Sequence, residues 1–232
     1  MKYFTRISFF VLVLMITNSV YAQIVNKKVD VPYTQQKIFT LCADGYNTIS
    51  LKFPQFKHKS RSVKKSLFSV PLSYMGFGGY LNPFTNEAQV NAKMPLYGFA
   101  MTATHEMAHQ IGFASESECN FIGYLAAVSN KDKYVRYSAE SFALRYCLKF
   151  LKTQNPQAYK NIIIEINQGI FKNFEESDAF WNEHQSVVES GFKLFYNQFL
   201  KANQQKDGLA GYGKFLNLLI GFERKNKIVS AR

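Results

Sequence analysis

Acidic residues are scarce in this chain: 16 Asp and Glu stand against 28 Lys and Arg in 232 residues, a formal net charge of +12. Charged residues amount to only 19% and hydrophobic ones to 47%, which excludes intrinsic disorder. Cysteine is both rare and odd in number. Cys42, Cys119 and Cys147 cannot form a disulfide scaffold, so buried free thiols are expected, with one Cys119–Cys147 bridge as the alternative. A single Trp against 22 Phe and 14 Tyr means that a ring-rich core must be built from phenylalanine and tyrosine. The longest apolar stretch, Ile7–Ile16, falls short of the roughly 20 residues of a membrane-spanning helix. No repeat or low-complexity tract is present, and the length suits one ordinary domain.

That short apolar stretch reads as an address. Lys2 and Arg6 precede it, and Val20-Tyr21-Ala22 has the small-residue ending that a signal peptidase accepts. Residues 1–22 are therefore expected to be a signal peptide, and the protein exported to the periplasm or envelope. An uncleaved membrane anchor is the alternative. A basic N-terminal segment follows over 23–66, and a catalytic domain over 67–232. The positive charge invites a nucleic-acid reading, but no recognition motif accompanies it and export argues against it. Contact with an anionic membrane surface is the partner that the charge leaves open.

Glycine, proline and asparagine crowd residues 67–98, so turns around short strands are expected there, with a strand at Glu87–Ala92. From Phe99 onward the periodicity is helical. One helix carries His105 and His109 and stops at Gly112, and the next starts near Ser115. A third carries Ala139, Phe142, Ala143, Tyr146, Cys147 and Phe150. Others are expected at 156–170, 177–202 and 210–222. The fold class is α+β, mainly helical: a small strand region followed by an active-site helix and a helical body.

The chemistry is concentrated in Thr104-His105-Glu106-Met107-Ala108-His109-Gln110-Ile111-Gly112. Histidines at i and i+4 share one helical face and can reach a single metal ion. Glu106, next to the first of them, is placed to take a proton from water that the metal acidifies and to pass it to a leaving amine. A catalytic zinc needs a third protein ligand and an open position. Glu116 and Glu118 are the candidates. Ser115 with Glu118 also has the spacing of a capping box, which would give Glu118 a helix-starting role and leave Glu116 as the preferred ligand. Tyr137 or Arg136 is a candidate transition-state donor, or else packs at a helix start. The Glu87–Ala92 strand is a candidate to hold substrate in extended form. His58 and His184 are expected to be structural.

The string His105 to Phe121 resembles the HExAHQxGFxxExEANF signature of a bacterial envelope family of unknown function, taken to be zinc metallopeptidases. Gly79–Ala88 resembles its GxxNPFTxEA stretch. Tyr124-Leu125, Arg136-Tyr137-Ser138, Leu200–Asn203 and Lys206-Asp207-Gly208 match as well, so the resemblance spans about 60–222. It implies a zincin-like fold, bound Zn2+ and hydrolysis of a peptide or protein substrate. The pattern ExxA[ND], shared with other glutamate-zincins, selects Glu116 as ligand and puts Asn120 beside a ligand histidine; a solvent-facing Asn120 is the alternative. Two departures stand out. The family's members are typically longer, with hydrophobic spans before the domain, and Cys119 replaces an alanine. A protein that keeps the metal for structure, or a scaffold for anionic surface polymers, is the non-enzymatic alternative.

Overall fold

A computed structural model describes residues 27–59, 62–185 and 212–230. The expected signal peptide and the Leu200–Asn203 and Lys206–Gly208 matches lie outside these residues, as does most of the helix expected at 177–202. Helix α1 (Gln35–Lys52) starts where the Thr34 side chain accepts from the Lys37 N–H, and stops at Phe53 before Pro54. Strand β1 (Val63–Lys65) and the short helix α2 (Ser69–Met75) follow, then β2 (Gly79–Leu81) and β3 (Ala88–Val90). The sheet order is β1-β3-β2, with β3 parallel to β1 and antiparallel to β2. The Asn82–Asn86 turn closes the hairpin through the Asn82 side chain, which accepts from the Phe84 and Thr85 N–H groups. The expected strand is therefore present, but as the central one.

Helix α3 (Leu96–Gln110) carries the two histidines. It ends as its sequence requires: Gly112 has φ of 102°, a left-handed conformation, and the Phe113 N–H returns to the Ala108 carbonyl. Helices α4 (Glu116–Val128), α5 (Lys133–Gln154), α6 (Pro156–Ile163), α7 (Gln168–Glu183) and α8 (Tyr212–Ser230) complete the described chain. Asp132 caps α5 by accepting from the Tyr134 and Val135 N–H groups, and Asn155 caps α6 with Pro156 in its first turn. The expected helix at 156–170 divides, because Asn167 accepts from the Gly169 N–H and starts α7 inside that span.

Among the described residues the architecture is mainly helical, eight α-helices with one three-stranded sheet, consistent with the α+β class. Helix α3 lies at its centre, against α1, α4, α5 and the β2–β3 hairpin. Phe99, Ala103, Met107 and Ala108 of α3 are fully or nearly fully buried, with Tyr46 of α1, Ile122 of α4 and Leu144 of α5 in the same core. Two glycines allow the close approaches. A β-carbon on Gly45 would lie 2.2 Å from the Ala126 carbonyl oxygen, and one on Gly123 2.8 Å from the His105 backbone nitrogen. The α1–α4 and α4–α3 crossings thus bring main chain against main chain. All three cysteines are buried and free, so the Cys119–Cys147 alternative is not formed.

Candidate metal centre

The i, i+4 spacing on α3 brings the His105 and His109 Nε2 atoms to 3.2 Å, with the rings nearly perpendicular. Glu116, the first residue of α4, reaches both: its Oε2 lies 3.2 Å from His105 Nε2 and its Oε1 3.8 Å from His109 Nε2. Bonds of about 2.0–2.1 Å in a tetrahedral zinc site space neighbouring donors about 3.3 Å apart, so the three residues fit one ion. His105, His109 and Glu116 form a group able to hold a metal ion. Glu118 is exposed. It follows Glu116 by two residues, a rotation of about 200° around the helix, so both cannot face α3. The Ser115 side chain makes no capping bond, and α4 starts instead with the Cys119 N–H on the Ser115 carbonyl.

Backbone geometry sets the tautomer of His109. The left-handed Gly112 turns the Phe113 carbonyl back over the helix end, 2.9 Å from His109 Nδ1. A carbonyl only accepts, so Nδ1 carries the hydrogen and the neutral ring keeps a bare Nε2 toward His105 and Glu116. Cys119 Sγ lies 3.3 Å from both His109 Nδ1 and the Phe113 oxygen. His105 Nδ1 is buried with no hydrogen-bond partner, while Asn120, one turn along α4 from Glu116, acts on the His105 side chain. Asn120 is thus beside the histidine pair, half-buried.

Glu106 reaches the sheet. A β-carbon on Gly79 would meet Glu106 Oε1 at 2.7 Å, so the carboxyl lies against the bare backbone of β2. Burial pushes its pKa up to about 7; the nearby His105 lowers it and Glu116 raises it. Burial likewise lowers the His105 pKa, but the Glu116 hydrogen bond and the two neighbouring carboxylates outweigh it and the net shift is upward. His109 is lowered by burial and by the facing His105, against an opposing pull from Glu116.

The remaining candidates lie elsewhere. The Tyr137 hydroxyl is buried and donates to Asn173 Oδ1 at 2.8 Å, in a cluster that also holds the Val29 backbone. Arg136 donates to the Asn130 and Lys131 carbonyls. These bonds hold Tyr137 against α7 and Arg136 against the connection between α4 and α5. His58 Nε2 bonds Gln110 Oε1 at 2.9 Å, and the Gln110 amide donates to the Ser62 and Asn86 carbonyls, fixing the end of α3 to the sheet. His184 Nδ1 bonds the Phe180 carbonyl. Strand β3, expected to hold substrate, has both edges occupied by β1 and β2; the strand beside Glu106 is β2. Gly79 and the Phe113 carbonyl were not singled out from the sequence, since their roles are backbone contacts that no side chain announces.

A mainly helical α+β protein with two histidines and one carboxylate converging on a single point is the class that fold and site define. Residues 8–220 match the family described as "Protein of unknown function (DUF3810)", and the chain belongs to that family. No curated protein and no solved structure matches it.

Proposed function

We propose that this protein is a zinc-dependent metallopeptidase of the cell envelope with a zincin-like fold. The observation that carries the reading is the pairing of a convergent His105–His109–Glu116 donor group with a buried Glu106 next along the chain. A bound zinc supplies Lewis acidity, polarising a carbonyl and acidifying water. Glu106, with a pKa near 7, suits a group that accepts a proton from water and returns it to the departing amine. The Phe113 carbonyl holds His109 from behind. The second edge of β2 offers a run of backbone groups beside Glu106, which suits an extended peptide added as a further strand. Without a side chain at Gly79 that backbone can approach the carboxyl closely.

Zinc titration of the wild type, Glu116→Gln and Glu118→Gln tests the ligand set. One zinc per chain is expected, at least about tenfold weaker in Glu116→Gln and unchanged in Glu118→Gln, since losing even a supporting group costs 10–100-fold. The opposite ranking, or no zinc in the wild type, would overturn it.

A further inference from the structure

Helix α2 buries two serines beside one leucine: Ser69, Leu72 and Ser73, together with Ser66 just before the helix, are at most 6% exposed. Each hydroxyl is used. Ser69 Oγ donates to the Ser66 carbonyl and accepts from the Ala92 N–H at 2.9 Å. Ser73 Oγ donates to the Ser69 carbonyl and accepts from Asn91 Nδ2 at 3.0 Å. The outward face is apolar, with Leu67 96%, Phe68 61%, Val70 51% and Tyr74 46% exposed. Val70 and Tyr74 are one turn apart on the helix and Leu67 and Phe68 stand in the turn before it, so these side chains are neighbours along the chain, with the Tyr74 ring edge-on to His184 at 5.1 Å. The serine bonds favour that orientation, since rolling the patch inward would take the Ala92 N–H and the Asn91 amide away from their acceptors.

The charge around the patch indicates what covers it. Between Asp44 and Glu87 the sequence holds Lys52, Lys57, Lys59, Arg61, Lys64 and Lys65 and no acid. Lys64 is paired with Glu87 at 2.7 Å, whereas Lys57, Lys59 and Lys65 are exposed, Lys65 two residues before Leu67. Leucine, phenylalanine and tyrosine beside lysines of one sign suit the boundary between acyl chains and anionic headgroups. We propose that the outward face of α2 and the turn before it dock on an anionic lipid bilayer, with the exposed Lys65 beside Leu67 over the headgroups. The patch is tied through Ser69 and Ser73 to the β3–α3 connection, so docking would hold the β2 edge at a fixed height above the lipid. This goes beyond the peptidase reading and does not depend on it.

The full chain carrying Phe68→Trp tests the proposal, because position 68 is exposed and tolerates the exchange. Its emission is compared with that of the parent, whose one tryptophan is Trp181, on phosphatidylglycerol and on phosphatidylcholine vesicles containing brominated lipid. Extra quenching and a blue shift from position 68 on the anionic vesicles are expected. Binding to neutral vesicles should be at least about fivefold weaker, the equivalent of one lysine's interaction with an anionic surface. Co-flotation without quenching at position 68 would assign binding to another segment and overturn the proposal. So would equal binding to both vesicles, absence of binding, or a lipid-free blue shift that grows with concentration alongside a dimer.

Discussion

Among the described residues two glutamates, Glu106 and Glu140, are buried, and burial pushes both up to about 7. Their surroundings give them different meanings. Glu106 sits between the histidine pair and β2, whereas Glu140 lies on α5, where Arg136 lowers its pKa against the effect of burial. A carboxyl raised in the folded state favours folding as the neutral acid. That contribution is complete below about pH 4.5 and is lost as pH rises through about 7. Glu140→Gln is therefore expected to stabilise the protein at pH 8 by about 2–3 kcal/mol and to change little at pH 4.5, measured by urea unfolding at each pH. A difference independent of pH would mean that Glu140 is not held neutral. For Gly79, an alanine would crowd Glu106 Oε1 and the Gln89 carbonyl. Gly79→Ala should lower peptide-cleavage kcat by about 10–100-fold with zinc affinity retained, since small misplacements of a reacting group cost that much. Loss of zinc in that variant would show that β2 supports the ligands rather than Glu106. At this scale the histidine pair was legible because ligand spacing is a property of one helix. Glu116 was preferred over Glu118 through a Ser115–Glu118 capping box that does not form and through the ExxA[ND] pattern; the phase of α4 is what separates the two glutamates in the structure. Gly79 lies 27 positions before Glu106, and nothing in the local pattern joins them.

Helix α4 carries Glu116 at its first position, and its depth against α3 is set where Gly123 meets the His105 backbone. Gly123→Ala should push the two helices apart, destabilising the fold by about 1–3 kcal/mol and weakening zinc binding together, read by thermal melts with and without zinc. A stability loss with unchanged zinc affinity would separate the crossing from the ligand geometry. The end of α3 was readable from Gly112, the start of α4 from Ser115 and the body of α5 from the Ala139–Phe150 stripe, because caps and periodicity are local. Helix α1 was not anticipated, since 23–66 was expected only as a basic segment. Its buried positions Ile38, Cys42, Tyr46 and Ile49 have helical spacing, but exposed Leu51 and the half-buried Leu41 blur the stripe. Strand order was not legible at all: alternation marks Ala88–Val90 as a strand but does not say that β1 and β2 flank it.

Across the whole molecule the basic excess and the metal centre are separated. Residues 67–130 hold Glu87, Glu106, Glu116 and Glu118 against Lys93 alone, so the positive charge belongs to the rest of the chain. An acidic donor group inside a basic protein suits a divalent cation at the centre and anionic material at the surface. Among the described residues no helix is long and apolar enough to cross a membrane. The central claim is that His105, His109 and Glu116 serve a reaction for which Glu106 moves the proton. The most direct test is digestion of a broad peptide library by the zinc-loaded wild type and by Glu106→Gln at equal zinc content. The expected result is cleavage by the wild type and a loss of about 100-fold or more in Glu106→Gln. Equal cleavage by both, or no cleavage by a zinc-replete wild type, would contradict it.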